Sequence, residues 1–172
     1  MTDAEFDSVN VEYFGVGAFY GCTFKSIIVR ENTKELSTYL FGSNQQTNLT
    51  KFVISPNLQK MHILCIPVNM VNIAAPFVTP PKSKELPYRA LYRYGYSINY
   101  PTHYENNAPV TPFPDLKLHL SEGLECLSKQ SISYCGFSGD LILPESLKYI
   151  QSYAVSKNHN FTNTKLRIPK NV

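Results

Sequence analysis

Between Phe137 and Ile150 the apolar residues fall at fixed places. Leu141-Ile142-Leu143-Pro144 reads as a short strand with Leu141 and Leu143 on one face. The proline stops it, because it has no N–H to give to a ladder. Leu147-Lys148-Tyr149-Ile150 then spaces two apolar residues as a turn of helix would, and Ala154 follows one further turn along. A unit this small cannot bury its apolar edge alone. It needs a copy of itself above and below.

The copies are present. Leu166-Arg167-Ile168-Pro169 restates the step downstream of Leu141, and Leu118-His119-Leu120-Ser121 restates it upstream, with Leu124 and Leu127 completing the template. Phe52-Val53-Ile54-Ser55-Pro56 carries its proline one place late, and Ile27-Ile28-Val29 stands one similar step before Phe52. Ile98-Asn99-Tyr100-Pro101 is a divergent copy. Between Phe52 and Ile98 the frame is ambiguous. Leu64-Cys65-Ile66-Pro67 fits by letter but follows Phe52 by only half the usual step, so the spacing favours Met70–Ile73. The pattern thus predicts parallel strands near Ile27–Val29, Phe52–Ile54, Met70–Ile73, Ile98–Tyr100, Leu118–Leu120, Leu141–Leu143 and Leu166–Ile168, in about seven turns of one solenoid. Leu141, Leu143, Leu147, Ile150 and Ala154 are the expected buried positions, with Ile142 outward. A short helical turn is expected over Lys34–Phe41.

The residues between strands repeat as well. Phe14-x-x-x-Ala18-Phe19 and Ile150-x-x-x-Ala154-Val155 align, and Gly17-Ala18-Phe19-Tyr20-Gly21-Cys22 leads into the next apolar step. This resembles the BspA-type leucine-rich repeats, a family common on the surfaces of gut and oral bacteria and of some protozoan parasites. Thr79-Pro80-Pro81 after an apolar step, followed by Ile98-x-Tyr100-Pro101, looks like a variant repeat of that family. The departures are Gln151 after Ile150, where Phe14 is followed by Gly15, and Val155 in place of the usual phenylalanine. The resemblance spans roughly Val11 to Val172. It implies an α/β solenoid: a right-handed leucine-rich-repeat superhelix with short parallel strands, short helical turns and irregular loops. It further implies a secreted or cell-surface binding module for adhesion or host contact, with a leader lying outside this chain; a cytoplasmic site is not excluded. A structural spacer in a larger surface protein is the alternative, and an enzyme comes third.

Organisation follows from the same frame. Residues 1–10 read as a frayed lead-in and 11–172 as one repeat domain, an excerpt of a longer protein if its ends lie within repeats. Residues 74–114 hold eight of the twelve prolines and read as an irregular stretch of the same stack. Without polar caps, end-to-end self-association is left open.

Composition narrows the function classes. Of 172 residues 43% are apolar, enough to bury a core, and only 17% are charged. Twelve tyrosines and ten phenylalanines suit β surfaces. Net charge is +3 with no stripe of Lys or Arg, which argues against nucleic acid. No apolar run is long enough to span a bilayer as a helix.

Candidate chemistry is sparse. Cys22, Cys65, Cys126 and Cys135 form no CxxC pair, and the bland reading is small buried thiols. His62, His103, His119 and His159 are scattered without metal-ligand spacing. No nucleophile elbow, phosphate loop or zinc-protease motif occurs. No cofactor or metal is therefore expected. Asn48-Leu49-Thr50 and Asn160-Phe161-Thr162 are glycosylation sequons that matter only in a eukaryotic secretory pathway. One cluster stands out: Tyr88, Tyr92, Tyr94, Tyr96, Tyr100 and Tyr104, with Arg89 and Arg93 interleaved. Tyrosine and arginine are enriched in binding hot spots. Tyr92, Tyr94, Tyr96, Arg89 and Arg93 are accordingly the candidate contacts for a protein or glycan ligand.

Overall fold

The computed structural model describes residues 4–41, 49–67, 76–92, 94, 116–158, 161–162 and 165–172. Its strands are β1 (Ala4–Asp7), β2 (Phe24–Ile28), β3 (Glu35–Leu36), β4 (Lys51–Val53), β5 (Lys60–Met61), β6 (Phe77–Val78), β7 (Glu85–Leu86), β8 (Leu118–His119), β9 (Cys126–Leu127) and β10 (Tyr149–Ile150). Every pairing among them is parallel. They form two ladders on different sides of the repeat. The first holds β1-β2-β4 and β6-β8; the second holds β3-β5 and β7-β9-β10.

Two corners shape each repeat. At the first, the N–H three positions on returns to the carbonyl of Ser8, Arg30, Ser55, Pro80, Ser121, Pro144 and Pro169. These seven β-turns sit where the sequence template places its proline. At the second, the same bond closes onto Gly15, Ser37, His62, Pro87, Ser128 and Gln151. The residue two places along each of these turns has positive φ: Gly17 (62°), Tyr39 (54°), Leu64 (50°), Arg89 (54°), Gln130 (55°) and Tyr153 (58°). A left-handed third residue is the signature of a type II turn, for which glycine is the unstrained choice. Only the first repeat has one. Gly123 answers a different need: a Cβ there would lie 2.8 Å from the Pro81 carbonyl oxygen of the preceding repeat.

Neighbouring copies are bonded at their corners. Arg30 N–H donates to Ser8 Oγ across a separation of 22, and Ser8 Oγ lies 2.9 Å from Thr33 Oγ1 across a separation of 25. From the fourth repeat to the fifth the step is 41, as in Arg89 Nε to Gln130 Oε1. Asn158 ties the fifth repeat to the sixth, accepting from the Cys135 N–H at 2.8 Å and donating to the carbonyls of Ile132 and Val155. In-register parallel copies would stack like charges, but on the outer face of the second ladder the signs alternate. Lys84 and Lys148 both reach Glu125, at 3.0 and 2.8 Å, and their hydrogen bonds and charge hold its carboxyl below the ordinary range.

The core runs through the repeats. Leu36, Leu58, Leu86, Leu124, Leu127 and Leu147 are buried at the template positions, as are Leu141, Leu143 and Ala154. Ile142 is exposed as expected, and Ile150 is half-buried. Phe6, Phe14, Phe19, Phe24 and Phe41 close the first two repeats with tilted and edge-to-face rings.

Several expectations are corrected. Ala4–Asp7 is not frayed: it pairs with β2 and buries Phe6. No helix forms among the described residues, and Lys34–Phe41 holds β3 and a turn. The spacing of Leu147 and Ile150 is not helical. The first corner reverses the chain, so the last turn residue and the following strand both point inward. Leu141–Leu143 and Leu166–Ile168 keep the frame but are not strands. The stretch before Leu141 is joined to the last repeat through a Gly139–Phe161 bridge, while the Ser138 side chain reaches the Leu116 carbonyl in the copy before. Ser138 bonds to Leu116, 22 residues back, but the corner at Pro144 lies 23 beyond that at Ser121, so this segment holds one residue more than its copy, and a surplus residue spoils a ladder's register. Leu166 and Ile168 are about half exposed. Phe77–Val78 forms a strand the template missed, while the predicted strands Met70–Ile73 and Ile98–Tyr100 lie outside the described residues.

Leu147→Ala should lower stability by about 2–5 kcal/mol, since its site is walled by neighbouring repeats and cannot collapse freely. Chemical denaturation measures it, and an unchanged midpoint would mean the repeat frame is misplaced. The left-handed corners give a second expectation. Tyr153 is 68% exposed, so Tyr153→Gly loses little packing and should raise stability by about 0.5–1 kcal/mol, whereas Gly17→Ala should lower it by about 1 kcal/mol.

Candidate functional site

Backbone bonding links each repeat to the next except at one junction. Among the described residues, no backbone hydrogen bond joins residues 51–66 to residues 76–92. Proline occupies several donor positions here. On the second ladder, His62, Ser128 and Gln151 occupy equivalent stations and donate to the preceding repeat, to the carbonyls of Leu36, Leu86 and Leu127 at 3.0, 3.0 and 2.9 Å. Pro87 stands at the same station and has no N–H.

The first ladder shows the same logic. Phe77 and Thr79 turn their N–H groups toward β8, donating to the carbonyls of Lys117 and His119 at 2.9 Å each. Alternation then aims Pro76, Val78 and Pro80 at β4. Val78 alone of these carries a donor. On β4, the Val53 carbonyl accepts from Val29 N–H at 2.9 Å, so Phe52 and Ile54 direct their backbone groups away from β2, into the junction.

The junction opens as a wedge. Cα atoms of β5 and β7 approach within 8 Å, whereas no Cα of β4 lies within 8 Å of any in β6. The groove between them holds about 220 Å³. Residues 52–56 form one wall and residues 76–81 the other. At its base Tyr94 meets Phe52 and Phe77, with ring centroids 6.5 and 5.3 Å apart, and stacks on Phe137 at 5.2 Å. Val53 and Val78 stand on the rim at 42% and 47% exposure. Among the described residues, none that lines the groove is charged; Lys51 precedes one wall and Lys82 follows the other. Lys82 Nζ spans the junction to Asn57 Oδ1 at 2.9 Å.

The tyrosine cluster divides. Tyr94 is 2% exposed and belongs to the core, where burial pushes its phenol up, so it is withdrawn as a surface contact. Tyrosines in one stretch do not share one fate, because the left-handed corner turns neighbouring rings to opposite sides. Arg89 sits at that corner. Its guanidinium lies over the rings of Tyr88 and Tyr92 at 5.0 and 4.7 Å, and Tyr92 meets Tyr134 at 5.5 Å. Tyr88 and Tyr92 are half-buried. Arg93, Tyr96, Tyr100 and Tyr104 lie outside the described residues. The groove was missed because its signal, Pro76, Pro80 and Pro87 at donor stations, needs the Phe77 copy placed in frame.

The other polar groups serve the scaffold. Among the described residues no disulfide forms; Cys65 and Cys135 are buried, and burial pushes the Cys65 thiol up to about 12. His62 Nε2 lies 3.2 Å from Glu35 Oε2. Among the described residues, no three His, Cys, Asp or Glu side chains gather as metal ligands. No helix there is long and apolar enough to cross a membrane.

A family model described as the BspA type leucine rich repeat region matches the chain in six copies, over residues 1–75 and 116–172. No curated protein and no solved structure gives a match.

Tyr94→Ala should destabilise by about 3–5 kcal/mol, as truncation of a buried aromatic does, while Tyr92→Ala should cost no more than about 1 kcal/mol. Thermal melts of the two variants read the difference; equal losses would put both rings in the core.

Proposed function

We propose a function from one premise: the chain belongs to the BspA-type leucine-rich-repeat family. Repeats of this family typically serve as binding modules. We infer that the copies wind as a right-handed solenoid, since most bonded copies lie 22 to 25 residues apart and the paired strands run parallel. Such a stack presents an extended strand-bearing face to a partner. The function that follows is non-catalytic binding of a protein, at a cell surface or in secreted form, in adhesion or host contact.

One observation carries the choice of surface. The wedge at the β4–β6 junction combines an apolar base, two exposed rim valines and a strand edge that makes no backbone bond to the described repeat beyond. An open strand edge beside exposed apolar side chains is a ready template for pairing with another chain. Arg89 and Tyr92 form an accessory contact in the same proposal, since their cation–π stacking presents a rigid polar-aromatic group.

The test uses the full chain against immobilised matrix proteins and a glycan array. Val53→Glu with Val78→Glu should leave the melting midpoint nearly unchanged, since both side chains point outward. It should weaken protein binding at least about tenfold, or about 1.4 kcal/mol. Undiminished affinity would move the contact surface elsewhere, and binding to glycans alone would overturn the protein partner.

A further inference from the structure

We propose that the wedge between β4 and β6 accepts one extended peptide strand from the partner, alternating apolar and acidic residues and paired along the Phe52–Ile54 edge. This rests on the reading above that the groove is the contact surface, and it names what enters.

Width is the first argument. Paired strands lie about 4.8 Å apart, so one inserted strand needs about 9.6 Å between its neighbours. β4 and β6 stand more than 8 Å apart at every Cα pair, well beyond a paired spacing, while β5 and β7 on the second ladder remain close. Among the described residues the stack is therefore opened on the first ladder alone.

Bonding capacity is the second. Phe52 and Ile54 direct both N–H and C=O into the gap, the alternate-residue pattern an added parallel strand uses. The opposite edge is blunted, since of Pro76, Val78 and Pro80, the residues turned toward β4, only Val78 carries a donor. Proline on an edge suppresses indiscriminate pairing. The same prolines remove two of the donors that could close β6 onto β4. The incoming strand is thus held chiefly by β4 and packed against β6.

Charge and shape give the sequence. A strand in this position turns alternate side chains down onto Phe52, Phe77 and Tyr94, which favours valine- or isoleucine-sized groups. The intervening side chains emerge beside Val53 and Val78, between Lys51 and Lys82. Among the described residues no carboxylate lines the groove, so acidic residues fit there.

The experiment follows amide exchange across the full chain with a capped six-residue peptide alternating valine and glutamate, and with its valine–lysine counterpart. The glutamate peptide at saturation should slow exchange of the Phe52 and Ile54 amides by at least about tenfold, and the lysine peptide should not. Ile54→Pro deletes one donor and should abolish the protection. If that variant does not fold, Val53→Glu with Val78→Glu should transfer the preference to the lysine peptide. Two results overturn the proposal. One is Phe52 and Ile54 amides as slow in the free chain as those of β2, which would mean the edge is already covered. The other is no protection by the glutamate peptide while the rim-glutamate variant still loses partner binding, which removes the peptide strand and leaves the contact surface standing.

Discussion

Outside the corner turns, backbone N–H groups in this protein find their carbonyls in a neighbouring repeat. With no helix among the described residues to satisfy donors locally, each strand depends on the copy before or after it. Buried amides without partners are costly, so the spacing between copies is tightly constrained. Hydroxyl and amide side chains cover corners where the main chain cannot reach, as Ser146 Oγ does in accepting from Gly123 N–H and donating to the Leu124 carbonyl. The same dependence makes proline decisive. On a helix it would kink one element; here, at Pro76, Pro80 and Pro87, it interrupts the continuity between one copy and the next.

Local strain is accepted to keep that continuity. Five of the six second corners place a side-chain-bearing residue in the left-handed region. Each costs of order 1 kcal/mol against glycine. The turn persists because its first and last residues are fastened to neighbouring copies, and because the residue after the left-handed one is buried, as at Leu40, Cys65, Ala90, Ser131 and Ala154. At this station Ser131 Oγ is buried without a hydrogen-bond partner.

The fold was legible where side-chain burial alone speaks. Leu141, Leu143, Leu147 and Ala154 are buried and Ile142 is outward, as an apolar-x-apolar-Pro-x-x-apolar pattern demands. Backbone pairing was less legible. Leu141 and Leu143 have the right faces yet belong to no strand, since burial tolerates the surplus residue between Ser138 and Pro144 and a ladder does not. The second ladder, with β3, β5, β7, β9 and β10, hid behind a spacing that a helix and a turn-then-strand share. For the candidate site, composition found the Tyr88–Tyr94 region but could not separate Tyr94, stacked on Phe137, from Tyr92 beneath Arg89.

By itself, then, the sequence determined the repeat, its period and the inward positions, because these are properties of spacing along one chain and recur in each copy. It also held the family, which six matching copies make plain. The tertiary structure alone decided the discontinuity after the third repeat, the groove there and the depth of Tyr94. Those depend on which edge each strand turns toward a neighbour one repeat away, and on whether that neighbour has an N–H to offer. Nothing in a local pattern records the direction of a strand's free edge until the strands on both sides of it have been placed.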